Sequence, residues 1–359
     1  MKSHTITSRT VQDFPVDIDA IARLIAETQL ESGEIPWCEG QKTDPWDHVE
    51  AAMGLSIGGY FSEARRALEW FARVQRADGS HYSAYLQGIP KDRTRETNLS
   101  TYIAVGVYHY YLITRDIGIL TELWPTISAA IDFALNLQTP EGEIYWAISP
   151  ERSVDPMALL TGCSSIFMSI KCALAIAGIL GHRKPLWRKA LAKLEYAIKN
   201  KPYLFNMTKS RYSMDWFYPI LAGVLTGDEA QRRIDRYWKK YVVEDRGVKC
   251  VFDEPWVTIA ETSELSLALS AMGNMDLAKI VFNWISDRRY EDGSYWCGFT
   301  CPDLIVWPED KITWTNAVAL MAADAIYNLS PAGQIFSHQF WESLECEETI
   351  AHTISKKPS

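Results

Sequence analysis

Basic residues are in short supply: 36 Lys and Arg stand against 45 Asp and Glu, a net charge of −9 over 359 residues. Nucleic-acid partners demand a basic face, so that class is excluded, and an anionic substrate would need a local basic pocket. Cysteine is sparse too. Seven residues, an odd number scattered along the chain, describe reduced thiols rather than a disulfide framework. The start, MKSHTITSRTVQDFPV, has no apolar run of the signal-peptide kind, which gives a cytoplasmic expectation. The longest apolar region, 157–180, is broken by Thr161, Ser164, Ser165, Ser169 and Lys171; it reads as a buried helix, and no membrane span is expected. H-E-x-x-H, Walker A, G-x-S-x-G and Rossmann fingerprints are all missing, so no metal and no cofactor are expected.

Aromatics, by contrast, are plentiful, with 14 Trp and 17 Tyr, and such faces suit sugars, isoprenoids or core packing. Apolar content of 47% and 23% charged residues are ordinary for a globular chain. Several aromatics follow a recurring turn: ESGEIPW ends at Trp37, RADGSHY at Tyr82, TPEGEIYW at Trp146 and YEDGSYW at Trp296.

Two kinds of helical segment alternate between these turns. In SEARRALEWFARVQ (62–75), Ala64, Ala67, Leu68, Phe71 and Val74 form one stripe while Arg65, Arg66, Glu69 and Arg73 face away, the pattern of a surface helix. Residues 16–30, 121–138, 184–201, 227–243 and 274–289 read the same way. Segments 44–57, 96–113, 155–180, 213–225, 257–272 and 312–326 are apolar nearly all round, with polar residues near their starts. A helix apolar on every face must be surrounded by protein. The expectation is an all-α (α/α)6 barrel, or toroid, of about twelve alternating inner and outer helices. It forms a single domain over 1–359, with an N-terminal arm at 1–15 and a polar, partly disordered tail within 331–359. Inner-to-outer connections such as GGYF and TGDE are short, whereas outer-to-inner ones run to about a dozen residues or more. The long loops therefore open at one end, beside the polar helix starts.

This alternation, with the DGSxxW-like turns, resembles the α/α toroid shared by six-hairpin glycosidases, terpenoid cyclases and prenyltransferase β-subunits. The resemblance covers about residues 16–330 and extends to bacterial proteins called prenyltransferase-like. RADGSHYSAY after Gln75 and TPEGEIYW after Gln138 resemble both the glutamine-tryptophan repeats of squalene-type cyclases and the Q-x-x-DG turns of six-hairpin sugar enzymes. Cyclases protonate an alkene from a D-x-D-D cluster, and diphosphate ionisation uses an aspartate cluster for magnesium. The chain has no D-x-D-D and no two adjacent aspartates. Cys297, Cys301 and Asp303 lack the spacing and the histidine of the prenyltransferase zinc site.

Glycosidic cleavage needs a proton donor and a base or nucleophile, normally two carboxyls flanking a pocket. Acids at the inner-helix starts are Asp44, Asp47, Glu50, Glu96, Asp155, Asp215, Glu261 and Glu264. Asp44 and Asp155, each before a proline, have the form of helix N-caps. Asp215 lies among Tyr212, Met214, Trp216, Phe217 and Tyr218, where desolvation would raise its pKa as a general acid requires. It is the expected acid, with Glu261, or else Asp47 or Glu96, as the base that activates water. Trp37, Trp46, His48, Asn98, Trp146, Tyr212, Trp216, Trp256, Trp296 and Trp314 are the expected substrate-binding residues.

The function expected is a carbohydrate-active enzyme, a glycoside hydrolase acting on an oligosaccharide or other small molecule. The alternatives are a terpenoid cyclase or prenyltransferase-like enzyme acting on an isoprenoid, and a non-catalytic glycan-binding toroid. A lyase using Tyr212 or His48 as base is a further variant. Acids with hydrogen-bonding residues around the cavity would favour sugar, and wall-to-wall aromatics isoprenoid. Oligomeric state is left open.

Overall fold

The computed structural model describes residues 16–344. Its outer helices are α1 (Ile18–Thr28), α3 (Phe61–Val74), α6 (Ile117–Leu135), α8 (Pro185–Asn200), α10 (Gly227–Tyr241) and α12 (Met275–Asn283). Its inner rods are α2 (Pro45–Ile57), α4 (Thr97–Thr101) continued by α5 (Ile103–Thr114), α7 (Leu160–Ile179), α9 (Met214–Leu221), α11 (Ile259–Ala271) and α13 (Thr313–Tyr327). Each inner rod packs on the next, and α13 returns to α2, closing the ring. The (α/α)6 toroid read from the alternation is therefore the fold. The core follows the same logic: α2, α7, α11 and α13 are buried along almost their whole length. Helices α6 and α7 are long and apolar enough to cross a bilayer by length and composition, but 78% of α7's apolar window is buried inside the fold.

The recurring turns are wall joints. Gln29, Gln75 and Gln138 follow α1, α3 and α6, and each side-chain amide donates two bonds. One goes to the carbonyl of the glycine four residues on (Gly33 3.1 Å, Gly79 3.1 Å, Gly142 2.9 Å), the other to the next outer helix or its neighbour (Glu63 2.9 Å, Thr126 2.8 Å, Ala190 2.9 Å). These glycines sit at φ +94°, +86° and +113°, and a Cβ on them would lie 2.4, 2.1 and 2.4 Å from a carbonyl oxygen of Arg66, Ala129 and Lys193. Only glycine meets both demands. Where the chain reads DGS, the aspartate closes the turn: Asp78 and Asp292 each accept from the N–H and Oγ of the serine two residues on, Ser80 and Ser294.

Three details differ from the sequence reading. First, the long loops contain short antiparallel strands. Those between α3 and α4 and between α6 and α7 share a sheet of β3 (Arg95–Glu96), β4 (Ala147–Ile148) and β5 (Val154–Asp155), after a hairpin of β1 (Ala84–Leu86) and β2 (Ile89–Asp92). Those before α11 and α13 share β6 (Val242–Val243), β7 (Gly247–Lys249), β8 (Trp256–Thr258) and β9 (Gly298–Thr300). Pairing across loops satisfies backbone groups that a solitary loop would leave open. Second, Asp155 is not a helix cap: it pairs in β5 with Ala147, and α7 starts five residues later. Asp44 does cap α2, accepting from the Asp47 N–H at 3.0 Å. Third, the chain after α13 does not trail off at 331. Asp324 fixes Ser330, the His338 ring bonds Ile220 O at 2.7 Å, and Trp341 is buried against Tyr108, with Lys171 over its ring. Residues 330–344 thus pack against the end of the barrel away from the long loops. The expected arm at 1–15 and the rest of the tail, 345–359, lie outside the described residues.

Candidate active site

Helices α2 and α11 begin at the loop-bearing end, one on each side of α13, and each carries two acids three residues apart. That spacing stacks Glu50 below Asp47 and Glu264 below Glu261, one turn deeper. All four are buried, with exposures of 9% for Asp47, 1% for Glu50, 4% for Glu261 and 1% for Glu264. Glu50 accepts from the Tyr102 hydroxyl at 2.7 Å and from the Trp314 indole N–H. Glu264 Oε1 accepts from the Tyr218 hydroxyl at 2.7 Å, while its Oε2 has no partner among the described residues. Trp46 bridges the two tyrosines, stacked on Tyr102 at 4.9 Å and edge-on to Tyr218 at 5.4 Å. Glu261 accepts from the Thr258 hydroxyl. Glu261 and Asp47 both act on one group, the Cys297 thiol, which burial and these charges, Glu261 the stronger, push to about 12.

No cation among the described residues comes within ion-pair distance of these four carboxylates. Burial, reinforced by the charges of Asp44 and Glu50, pushes Asp47 well above the usual carboxylate range, against the pull of the Trp37 indole and of Lys42. Burial carries Glu50 to about 7 despite the pull of the nearby Trp46 indole and of the Tyr102 and Trp314 donors. Burial and then the charges of Glu50 and Glu261 push Glu264 well above its ordinary value. Glu96, at the start of α4, is raised by burial to about 7 and also feels Asp44. Protons are thus held at the mouth at neutral pH, as acid catalysis requires.

Asp215 is not brought to this cluster. Its Oδ1 accepts from the Thr161 N–H at 3.2 Å and Oγ1 at 2.6 Å, capping the first turn of α7, which has no side-chain cap of its own. Its pKa is raised by burial, as expected, but in the wall between α9 and the outer helices. Trp216 turns the same way: it stacks on Tyr241 at 5.3 Å and donates to Arg233 O at 2.9 Å. His48 faces outward between α2 and α3, accepting from Ile35 N–H at 3.1 Å and bonding Ala67 O at 2.9 Å. Burial drops its pKa to about 4, so it stays neutral. Tyr212 is 41% exposed on the rim.

The remaining aromatics divide. Trp46 and Trp314 belong to the cluster. Trp37 lies beside Asp47 with Lys42 over its ring at 4.1 Å, and the Trp37 and Trp46 indole N–H groups close no hydrogen bond. The Trp146 indole N–H and Asn98 Oδ1, at the α4 edge of the mouth, are also buried without partners among the described residues. Trp256 donates to Trp307 O at 2.8 Å, and Trp296 packs on Phe299 at 6.1 Å, both on the β8–β9 side. The mouth is therefore lined by acids and unsatisfied hydrogen-bonding groups rather than by aromatics alone. The sequence reading did not single out Tyr102 and Tyr218. Their signal was a phenol inside a helix otherwise apolar, since a buried hydroxyl needs a partner.

No family model matches the chain. A relative of 45% identity over 315 residues, covering 88% of this chain and 87% of its own, is the "MMP endo-(1,4)-3-O-methyl-alpha-D-mannosidase" of Mycolicibacterium hassiacum. Among solved structures, the GH63 mannosylglycerate hydrolase of Thermus thermophilus in complex with glucose superposes with a TM-score of 0.67 at 12% identity, over 85% of this chain and 99% of that one. A D-mannose isomerase gives 0.66 at 11% identity, over 89% and 100%. A glycosidase variant in complex with glucose gives 0.64 at 15%, over 88% and 98%. A hydrolase and an isomerase on one toroid show that the fold leaves the reaction to the site.

Proposed function

Because the chain belongs to the same family as the MMP endo-(1,4)-3-O-methyl-alpha-D-mannosidase and is a glycoside hydrolase, we propose that it cleaves internal (1,4) bonds of a 3-O-methylated alpha-mannose oligosaccharide. Asp47 is the general acid and Glu261 the base in this reading. The observation that carries it is the pair of stacked carboxylates on α2 and α11, buried and without ion-pair partners among the described residues.

Asp47 holds its proton because burial, Asp44 and Glu50 oppose its ionisation. It gives that proton to the glycosidic oxygen as the bond from C1 breaks. Glu261, oriented by the Thr258 hydroxyl, takes a proton from the water whose oxygen bonds to C1. Hydrolysis then leaves a C1 hydroxyl on one fragment and a free hydroxyl on the other. The acid and the base come from inner helices separated by α13, which suits the wider carboxyl separation of inverting enzymes. The partnerless Trp146 N–H, Asn98 Oδ1 and Glu264 Oε2 are hydrogen-bonding sites for sugar hydroxyls, since a buried polar atom costs free energy until it is bonded.

The test is digestion of a (1,4)-linked 3-O-methyl-mannose oligosaccharide, followed by sizing of the fragments and NMR of the new anomer. Internal fragments with inverted anomeric configuration are expected, and Glu261→Gln should abolish them. Monosaccharide released only from a chain end, or full activity in Glu261→Gln, would overturn the reading.

A further inference from the structure

A cavity lies in the wall of the barrel, between α8, α9, α10 and the loop at 202–212. It has a volume of about 180 Å³, below the ~300–1,000 Å³ usual for larger ligands, so its occupant is small. None of Asp47, Glu50, Glu96, Glu261 and Glu264 lines it. Its walls are apolar and aromatic, built from Leu160, Ile198, Phe205, Trp216, Pro219 and Tyr237.

Two cations line this apolar cavity. Arg233 is partly buried and spends Nε and Nη2 on the carbonyls of Trp216 and Asp215, both at 2.7 Å. Lys240 donates to Ser210 O at 2.7 Å and lies over the rings of Phe252 and Tyr241 at 4.5 and 4.8 Å. Their partners are neutral: no carboxylate oxygen among the described residues comes within ion-pair distance of either. The nearby acid, Asp215, lines the same cavity but has its Oδ1 committed to Thr161. Burial lowers the pKa of both cations, the signature of charge held without full compensation. Among the lining residues two cations and one carboxylate leave a single positive charge against apolar and aromatic walls, while Asp253, outside the lining, acts on Lys240 more strongly than Asp215 does.

We propose that this wall cavity is a second ligand site, separate from the catalytic mouth, for a small monoanion with an apolar or aromatic body, such as an aryl carboxylate. The carboxylate would meet Arg233 and Lys240, and the body would lie against Trp216, Tyr237 and Phe205. This site goes beyond the hydrolytic reading and does not depend on it.

The experiment is calorimetric titration of the full chain with phenylacetate and with its neutral analogue phenylacetamide. Phenylacetate should bind saturably and at least about tenfold more tightly than the amide, because a charge-assisted bond is the stronger kind. Arg233 also holds the first turn of α9, so Arg233→Met could fail to fold. Lys240→Met, which should lose most of the preference for the acid, and Leu225→Trp, which fills the cavity, provide independent variants. Asp47→Asn should leave phenylacetate binding unchanged. Equal affinity for acid and amide, binding unaltered in both Lys240→Met and Leu225→Trp, binding lost in Asp47→Asn, or no heat up to ~10 mM ligand would each overturn the proposal.

Discussion

Carboxylates on the axis of this barrel and carboxylates on its outer wall are treated in opposite ways. On the wall, Arg65 alone gathers Glu69, Asp116 and Glu122. Asp292 is drawn down to about 2, since Lys311 and Ser294 outweigh the upward pull of burial. On the axis, Asp47, Glu50, Glu261 and Glu264 have no ion-pair partner among the described residues, and burial lifts Glu50 to about 7. One residue class thus becomes a structural anion in one place and a proton reservoir in the other. The wall carries stability, whereas the axis tolerates destabilising charge where catalysis needs it.

The sharpest test compares an axis acid with Asp215, an acid as buried but committed to capping α7. Asp47→Asn should lower kcat by ~10²–10⁴-fold, the usual worth of general acid catalysis, while the urea unfolding midpoint stays level or rises. Asp215→Asn should do the reverse, leaving kcat within about tenfold of the parent and costing ~1 kcal/mol of stability as a weakened cap. Equal losses of kcat in the two variants, at unchanged stability, would collapse the division.

Next in size is the wall joint. Gln75→Ala removes two bonds to the backbone carbonyls of Gly79 and Thr126, so a loss of about 1–3 kcal/mol is expected in urea denaturation. Substrate KM should not move. A change in KM without a change in stability would mean that these turns serve the substrate after all.

A smaller effect separates the two regions by pH. Glu50 titrates near 7 in the folded chain against 4.5 for an ordinary glutamate, so the folded state binds the extra proton between those values. Its contribution to stability is complete below about 4.5, declines as pH rises, and is gone above about 7. His48, held near 4 against 6.5, works the other way, and its contribution is lost as pH falls through that window. Glu50→Gln should therefore be more stable than the parent at pH 8 and gain almost nothing at pH 4. Equal gains at both pH values would show that Glu50 is not a burial-shifted group.

How much of this was legible in the sequence depends on whether the cause was local. The toroid was, because a helix apolar all round can only be an inner one and twelve segments alternated. The stacked acids were also visible: Asp47 with Glu50, and Glu261 with Glu264, are carboxylates at helical spacing inside apolar helices. Asp44-Pro45 and Asp155-Pro156 offered the same cap pattern, but only the first caps a helix, because β5 pairs with β4 within the α6–α7 loop. Asp215 is the instructive residue. Its apolar neighbours announced a desolvated carboxyl, and its pKa is raised. What the neighbours could not reveal was direction, which is set by an uncapped α7 that presents Thr161 from 54 residues away. Two of the strand pairings at the mouth, β3 with β4 and β8 with β9, were hidden for the same reason, since each joins two different loops.

The smallest effect expected comes from the wall's own charges, and it limits how far the comparison reaches. Arg65 bonds Glu69 at 2.8 Å and Asp116 at 3.0 Å, and Glu122 as well, but these side chains are 30–49% exposed. Water and salt screen such pairs to about 0.2–1 kcal/mol each, and ordering three acids around one guanidinium costs side-chain entropy. Arg65→Ala should therefore lose about 1 kcal/mol at low salt, some of it through the arginine's aliphatic stem, and visibly less at 1 M salt, where the screening length falls to about 3 Å. On the axis, where the acids are buried, added salt should leave the Glu50→Gln difference nearly unchanged. If the Arg65 loss proved insensitive to salt, the wall would be held by packing, and its ion pairs would be a consequence of the fold rather than a contribution to it.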